Sequence, residues 1–402
     1  MEFEKKEEND KMKKSTRRRK YMHGCLSLKQ EEKPAAAAAA GSNLELKMMS
    51  CTLSDDGYSC IIPTQTHLVV MINGIIGSAA DWKFAAKQFL GRYPKDVLVH
   101  CCKRNYGMLT LDGVDVMGER LAEEVLSVIK QRPRLQKISF VAHSLGGLVA
   151  RYAVGRLYRQ NTMREQDKMN EDCTFDEGHL CEGDKLKGKI AGLEPMNFIT
   201  FATPHIGVRG HKQAPLFCSL TILEKAARHT SWMLRRTGKH LLLTDNENGK
   251  PPLLLQMVND SEDLHFLSAL HSFQRCVTYA NARFDFAVGW RTSSIRRQNE
   301  LPKLQRISKN DRYPHVVNVE PPSIARFEQE VLTEDNRKKL KTSDMEELMI
   351  RGLTRVSWER VDVSFQRSTQ RFLAHSTIQV KSYSINSDGA DVILHMIDNF
   401  VL

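Results

Sequence analysis

The sequence predicts an α/β fold with a mostly parallel central sheet and helices on both faces, and three observations lead to this class. The run from His67 to Ile75 (HLVVMINGI) is continuously apolar, as is typical of a strand buried on both faces. Strand and helix patterns then alternate three times before Tyr158. In the third of these units a serine stands between a buried strand and a helix. Strands that alternate with helices pair in parallel through right-handed crossovers.

Each element is predicted from its own pattern. A helix is expected over 81–93, with Asp81 as its N-cap. Helical periodicity also covers 114–131, 145 to about 158, and 389–400. After 67–75, further strands are predicted at 96–102, 137–143, 197–202, 275–281 and 355–365.

One α/β domain is expected over residues 60–402, with a charge-rich surface insertion at 159–193 and a helical cap at about 205–270. Residues 1–45 are charged and then alanine-rich, which predicts a disordered arm. The basic cluster at 11–20 could contact an anionic membrane or act as a nuclear address. A solvated tail without a dedicated partner is the other interpretation.

Composition restricts the environment of the chain more than its function. Hydrophobic residues make up 41% and charged residues 27%, which is ordinary for a soluble globular protein. The net charge of +11 suits a partner with a negative surface. No apolar stretch of signal-peptide length follows the N-terminal charges, and no run of roughly 18 apolar residues predicts a membrane span. We therefore expect a cytoplasmic protein, soluble or peripheral to a membrane or lipid droplet, without a nucleic-acid partner.

The nine cysteines follow no repeating spacing, and the adjacent pair Cys101 and Cys102 has poor geometry for a disulfide. We expect free thiols in a reducing compartment. Cys173, His179 and Cys181 lack a fourth ligand at a standard interval. They are interpreted as loop residues, and no metal site is expected.

The serine of the third unit, Ser144, has the setting of a nucleophile. It lies in FVAHSLGG, with Ala142 two positions before it and Gly146 two positions after it. A sharp strand-to-helix turn brings the two backbones nearly into contact, so only small residues fit at these positions. The turn forces the serine into a strained conformation that exposes its oxygen, the arrangement of the α/β-hydrolase fold.

A nucleophilic serine also needs donors for the oxyanion that forms when it attacks a carbonyl. The backbone N–H of Leu145, the residue after the serine, is one expected donor. The other is expected in the loop NGIIG after the first strand, where Ile75 is the predicted donor and Gly74 shapes the turn. A plain glycine turn is the alternative interpretation.

Chain order predicts the other two catalytic residues, since the acid and the histidine follow the serine in this fold. His375 comes ten residues after the last predicted strand, in a loop that should overhang the sheet. His395 falls within the closing helix pattern, and His315 precedes a short extended stretch well before the last strand. Asp285 follows the strand at 275–281 and is the predicted acid.

Two further polar residues near these loops are predicted to have structural positions. Asp362 alternates within an apolar strand, which favours a residue facing solvent. His205 ends another strand beside the site, and we expect it to support a loop rather than to line a pocket.

The blocks HLVVMINGIIG, FVAHSLGGLVARYAVGRLY, FITFATPHIG, YANARFDFAVGWRTSSIR and AHSTIQVK resemble the serine esterase family DUF676 of lipase-like α/β-hydrolases, in a form typical of plants. The resemblance covers most of residues 67–400. It implies hydrolysis of acyl esters, as by a lipase or phospholipase, and places the triad on Ser144, Asp285 and His375. Asn73 departs from the histidine that many relatives have before the glycine.

These features together predict an esterase that cleaves lipid acyl esters through an acyl-enzyme, without cofactor or metal. An acyltransferase or thioesterase with the same triad stays open, as does a binding protein that has lost turnover. The segment Leu216–Leu243 interleaves apolar and cationic residues. It could lie on an anionic lipid surface or form a lid helix packed on the core.

Overall fold

The computed structural model describes residues 64–160, 188–208, 234–246, 249–303, 311–323 and 341–402. The strands are β1 His67–Ile72, β2 Val97–Cys101, β3 Lys137–His143, β4 Tyr158–Arg159, β5 Lys189–Ile190, β6 Glu194–Phe201, β7 Arg275–Asn281, β8 Val316–Ser323 and β9 Trp358–Val363. The helices are α1 Lys83–Arg92, α2 Val114–Gln131, α3 Leu145–Leu157, α4 Arg235–Leu241, α5 Leu253–Gln256, α6 Phe266–Ser272, α7 Trp290–Ser294, α8 Thr342–Leu353, α9 Ala374–Thr377, α10 Tyr383–Asn386 and α11 Ala390–Asp398.

Seven strands form one sheet in the order β2-β1-β3-β6-β7-β9-β8. All neighbours are parallel except β8, which pairs antiparallel with β9 at one edge. In register, Ile72 faces Ala142 and His143 faces Phe201. The carboxyl ends of these strands therefore meet at one edge of the sheet, which is where open α/β sheets bind ligands.

Each face of the sheet is covered by helices, so the sheet separates two apolar cores. On one face, strand residues such as Phe140 and Phe198 pack with residues of α2, α3, α6 and α8. On the other face, Val141 and Tyr279 pack with residues of α1 and α11. The predicted class, a mostly parallel sheet with helices on both faces, is confirmed.

The boundaries of most predicted elements agree with the structure, but the start of the first helix was predicted wrongly. A 3-10 turn over Ala79–Trp82 precedes α1, and Ser78 caps it: the Ser78 hydroxyl accepts from Ala80 N, and the Asp81 carboxylate accepts from Ser78 N. Asp81 is therefore the N3 residue of a capping box and not the N-cap.

Two elements near the end of the chain were not predicted as such. The stretch after His315 is an antiparallel edge strand, and Thr342–Leu353 is a helix. The helix buries Met345, Met349 and Leu353 at helical spacing, so its pattern was readable. The edge strand contains two prolines, is polar at its end and is partly exposed, which weakens its alternation.

The interpretation of Asp362 as facing solvent was wrong. Its side chain is fully buried and accepts hydrogen bonds from Arg296 Nη1 at 2.7 Å, from Trp290 Nε1 at 2.6 Å and from Asn318 Nδ2 at 2.9 Å. A buried carboxylate is stable only with such partners. Asp362 thus anchors the edge of the sheet, which explains a charged residue in an otherwise apolar strand.

The predicted insertion and cap are described only in part. Strands β4 and β5 pair antiparallel and bring the two ends of the insertion together, while 161–187 lie outside the described residues. Of the cap, α4, α5 and α6 are described, and 209–233 are not. The arm at 1–45, its basic cluster, and most of Leu216–Leu243 also lie outside the described residues, as do Cys173, His179 and Cys181.

Three cysteines fall in the described part of the chain, namely Cys101, Cys102 and Cys276, and all three are free thiols. Burial raises the pKa of the Cys102 thiol to about 12. No helix within the described ranges is long and apolar enough to cross a bilayer.

Candidate active site

Ser144 stands at the turn between β3 and α3 with φ 53° and ψ −127°. This left-handed backbone is strained for a residue with a side chain, and it lifts the hydroxyl away from the sheet. The small residues on either side are needed for the turn. Ala142 is fully buried beside Ile72, and a Cβ on Gly146 would come within 2.6 Å of the carbonyl oxygens of both Ile72 and Asn73.

The structure brings the three predicted catalytic residues together. His375 Nε2 lies 3.0 Å from Ser144 Oγ, and His375 Nδ1 lies 3.0 Å from Asp285 Oδ2. The loop after β7 supplies the aspartate, and the short helix α9 supplies the histidine. Because an ionised carboxylate only accepts hydrogen bonds, Nδ1 carries the proton and Nε2 presents a lone pair to the serine hydroxyl.

Asp285 is held as an oriented anion. Its Oδ1 accepts from the backbone N–H groups of Ala287 at 3.0 Å and Val288 at 2.9 Å, and its Oδ2 accepts from Asn281 Nδ2 at 2.8 Å. Burial alone would raise the pKa of this carboxyl, but His375 and these donors keep the pKa below its ordinary value. The acid therefore stays charged where it faces the histidine ring.

Asn281 is a site residue that sequence reasoning missed. It is the last residue of β7, and its amide donates both to Asp285 and to the carbonyl oxygen of Ala374 at 3.2 Å. One side chain thus connects the acid loop to the residue before His375. Its only sequence signal was a polar residue at the end of an apolar strand.

His143 was also missed, although it lies directly before the serine. Its Nε2 is 2.7 Å from the backbone oxygen of His375, and the centroids of the two rings are 4.7 Å apart. Burial, followed by the nearby ring of His375, lowers the pKa of His143 well below its ordinary value. His143 is therefore a neutral ring that donates from Nε2 to the histidine loop.

The loop after β1 lies directly against the serine. A Cβ on Gly74 would be 3.0 Å from Ser144 Cβ, so only glycine fits there without displacement. The loop closes as a turn in which Gly77 N donates to Gly74 O at 3.1 Å, and Ile76 has a φ of 51°. Asn73 Nδ2 donates to the same carbonyl oxygen, which gives the asparagine a role in shaping the loop.

The two predicted oxyanion donors lie on the elements around this contact. Leu145 is the first residue of α3, where a backbone N–H has no partner within the helix. Ile75 is the second residue of the turn, a position whose N–H the turn itself does not use. Leu145 directly follows the serine, and Ile75 directly follows Gly74, which lies against it. The role of both residues as donors stays a prediction.

A second loop braces this turn. This loop follows β2 and contains the 3-10 segment Gly107–Leu111. The backbone N–H of Gly107 donates to Gly77 O at 2.9 Å, and the backbone N–H of Ile76 donates to the Thr110 hydroxyl at 2.8 Å. Thr237 of α4 in turn donates to Thr110 O at 2.9 Å. The cap thereby supports the loop that touches the serine, a connection that no local sequence pattern signals.

Three other histidines considered from the sequence support the fold and do not contact Ser144. His205 is fully buried, its Nε2 is 3.0 Å from Thr200 Oγ1, and its backbone oxygen accepts from Arg151. This agrees with the expected supporting role. His395 lies in α11 against Tyr279, and His315 bonds Asp391. In the parts of the chain that are described, no group of three His, Cys, Asp or Glu residues could hold a metal ion.

Comparison with protein families agrees with this geometry. The model of the family described as "Putative serine esterase (DUF676)" matches residues 63–295. That range contains the serine, both predicted oxyanion donors and Asp285. The chain has the α/β-hydrolase fold. The plant type stays a prediction.

Among curated proteins, the "Putative lipase C4A8.10" of Schizosaccharomyces pombe is 28% identical over 303 residues, which cover 72% of this chain and 34% of that protein. The "Putative lipase ROG1" of Saccharomyces cerevisiae is 27% identical over 260 residues, with coverage of 63% and 32%. The chain thus spans about a third of the length of the curated relatives it matches.

Among solved structures, phospholipase PlaB from Legionella pneumophila in complex with thio-NAD matches with a TM-score of 0.32 and 12% identity, over 55% of this chain and 38% of that one. The RedJ thioesterase of Streptomyces coelicolor matches with a TM-score of 0.25 and 12% identity, over 65% and 83%.

Proposed function

Since the chain belongs to the DUF676 serine esterase family, we propose that it is a serine esterase that cleaves carboxylic acyl esters of lipids through an acyl-enzyme on Ser144. One observation carries this proposal: a continuous path of hydrogen bonds runs from Ser144 Oγ through both nitrogens of His375 to the buried carboxylate of Asp285. This is the arrangement that activates a serine for attack on a carbonyl.

In the first step, Ser144 Oγ attacks the carbonyl carbon of the ester and its proton passes to His375 Nε2. The carbonyl π electrons move to the oxygen, which becomes an oxyanion. Asp285 stabilises the imidazolium that forms, because its charge faces the protonated Nδ1 at 3.0 Å. The tetrahedral intermediate then expels the alcohol, which takes the proton from Nε2 and leaves the acyl group on Ser144.

In the second step, water attacks the acyl-enzyme and gives a proton to His375 Nε2. Collapse of the second intermediate releases the carboxylic acid and returns the proton to Ser144 Oγ. Backbone N–H groups of Leu145 and Ile75 are the proposed donors to the oxyanion in both steps. Loss of one such donor typically lowers kcat about 10²- to 10³-fold, so the bracing of the Ile75 turn matters to the rate.

The lipid part of the proposal has two supports. The curated relatives carry lipase in their printed names. The loops around the site also expose large apolar side chains, among them Ile76 next to the proposed donor and Phe372 and Leu373 just before His375. An acyl chain is the substrate portion that such surfaces would accommodate.

A panel of esters tests this function. Triacylglycerol, monoacylglycerol, phospholipid and a short-chain soluble ester are offered to the natural chain and to Ser144→Ala, and released acid is measured. We expect hydrolysis of at least one lipid ester, lost in Ser144→Ala. Turnover of only the short soluble ester would contradict the lipid substrate, and equal acid release by both chains would contradict the esterase.

A further inference from the structure

Large exposed apolar side chains concentrate around the candidate site. Six of them stand on the loops at the carboxyl edge of the sheet and are here called the apolar rim: Ile76, Tyr106, Met108, Leu109, Phe372 and Leu373. Ile76, Met108 and Phe372 are 52%, 57% and 58% exposed. Exposed apolar groups that cluster, rather than scatter, mark a surface that another apolar phase covers.

Hydrogen bonds and ring contacts tie both sides of the rim to the site. On one side, Ile76 N donates to Thr110 Oγ1, which joins the turn beside Ser144 to the segment that carries Met108 and Leu109. On the other side, the Phe372 ring lies 5.7 Å from Phe284 and 6.4 Å from Phe286, the neighbours of Asp285 in sequence. The rim therefore flanks the triad.

Positive side chains stand among these apolar residues. The Arg371 guanidinium lies 4.7 Å from the centre of the Phe372 ring and 6.0 Å from that of Phe284. Arg283 and Arg367, on the acid loop and the loop before His375, are exposed. The carboxylate of the acid loop, Asp285, is buried and faces His375. The surface around the candidate site therefore presents exposed apolar groups and cations together.

We propose that the apolar rim docks the protein on an anionic lipid surface, with Phe372, Leu373, Met108 and Leu109 inserted among the lipids. The inference rests on the proposed function, because it gives an insoluble acyl ester a direct path from the lipid phase to Ser144. Amphipathic surfaces with apolar groups flanked by Lys and Arg bind membrane interfaces by burial and by attraction to anionic lipids. The rim side chains come from three separate loops, those after β1, β2 and β9, and exposed arginines stand beside them, which favours an extended anionic surface as the occupant.

Vesicle flotation tests the docking without turnover. Full-length Ser144→Ala is mixed with phosphatidylcholine vesicles, with and without about 30% phosphatidylserine, a fraction that makes the surface strongly anionic. Two double variants are made in the same Ser144→Ala chain, namely Phe372→Ser/Leu373→Ser and Met108→Ser/Leu109→Ser. Leu126→Ser in that chain is the matched control. Leu126 lies on α2 and is 49% exposed. It stands twelve residues after Val114, where this helix begins at the edge of the sheet that carries the site, so it lies away from the rim.

We expect the parent chain to float with anionic vesicles, each double variant to bind at least tenfold more weakly, and Leu126→Ser to bind like the parent. Thermal unfolding of every variant separates lost docking from lost folding. Unchanged binding in both double variants would overturn the proposal, because another part of the chain would then supply the binding. An equal loss of binding in Leu126→Ser would also overturn it.

A second measurement reports insertion itself. Phe372→Trp and Leu126→Trp are placed in the Ser144→Ala chain and mixed with anionic vesicles that contain brominated lipids. We expect added quenching for Phe372→Trp and none for Leu126→Trp. Absence of quenching at residue 372 would overturn the proposal even if the ester panel succeeds, whereas docking in a chain that hydrolyses no ester would count against the proposed function alone.

Discussion

The neutral ring of His143 donates from Nε2 to the backbone oxygen of His375 at 2.7 Å. His143, which directly precedes the proposed nucleophile, thus holds the proposed base His375 by its backbone oxygen and not by its reacting ring. Asn281 acts from the other direction, on Asp285 and on the carbonyl oxygen of Ala374. The histidine loop, which joins β9 to the closing helix, is held in place from the ends of two strands, β3 and β7, which β6 separates in the sheet.

His143→Ala is expected to slow the reaction of Ser144 with a fluorophosphonate by about 10- to 100-fold, because a small displacement of a catalytic group costs this much. His67→Ala is the matched control. His67 is equally buried and bonds Ser139 through Nε2 at 2.8 Å, but it begins β1 at the opposite edge of the sheet. Both changes should lower the midpoint of thermal unfolding. Equal labelling rates in the two variants would contradict the positioning role.

Asn281→Ala is expected to lower kcat for a soluble ester about tenfold with little change in KM, since Asp285 loses the donor that orients its Oδ2. Asn318→Ala removes a comparable bond, from Asn318 Nδ2 to Asp362 Oδ2, at the edge strand. We expect each variant to lose about 1–2 kcal/mol of stability, with kcat reduced only in the first. A similar fall in kcat for both would show a general effect of destabilisation.

Gly146→Ala is expected to destabilise the fold by roughly 3 kcal/mol or more, because the added Cβ would press on two carbonyl oxygens at 2.6 Å. Gly91→Ala, within α1, meets nothing within 4 Å and should stabilise by about 0.5–1 kcal/mol. Urea unfolding of both variants checks this difference in sign. A Gly146→Ala chain as stable as the natural one would mean that the turn is wider than described.

Glu124 predicts a pH dependence of stability. Burial would raise its pKa, but bonds from His100 Nε2, Lys103 N, Cys102 Sγ and Arg104 N lower the pKa to about 2. Because the pKa is lower in the folded state, the stabilisation is complete above the ordinary value of 4.5 and is lost as pH falls towards 2. Glu124→Gln should therefore cost about 2 kcal/mol at pH 7.

Denaturant unfolding at pH 7, 5 and 3 checks the Glu124 prediction. The natural chain and Glu124→Gln should differ by a similar amount at pH 7 and 5, and by less at pH 3. A difference that is constant across all three values would show that the charge of Glu124 contributes nothing. The Glu119→Gln variant, whose carboxylate is 43% exposed and pairs with Arg156, serves as the control and should change little.

Sequence periodicity was sufficient for the parallel sheet and for most of its boundaries, because buried strands and amphipathic helices differ strongly in their apolar spacing. Chain order within the fold was sufficient to choose Ser144, Asp285 and His375, which the structure brings together. Asp81 was misplaced although its partner Ser78 stands only three residues before it, so this capping box was readable in the sequence. Asp362 was misplaced because the partners of its buried carboxylate lie elsewhere in the chain. Arg296 is 66 residues from Asp362.

The supporting residues were harder to predict for the same reason. His143 acts on a residue 232 positions away, and Thr110 holds Ile76 across 34 positions. Neither contact leaves a periodic or local trace, since each depends on which strand ends meet at the sheet edge. The only local sign of a role for His143 was its place at the second position of the elbow motif, directly before Ser144.

Ester hydrolysis by this chain depends, in the proposed mechanism, on Ser144 as a nucleophile activated by His375. The most direct test of this mechanism is intact-mass and peptide mass spectrometry of the natural chain, Ser144→Ala and His375→Ala after exposure to a fluorophosphonate. We expect one adduct on the natural chain, mapped to the peptide that contains Ser144, no adduct on Ser144→Ala, and strongly slowed labelling of His375→Ala. An unlabelled natural chain beside a labelled reference serine hydrolase, or an adduct that persists in Ser144→Ala, would contradict the mechanism.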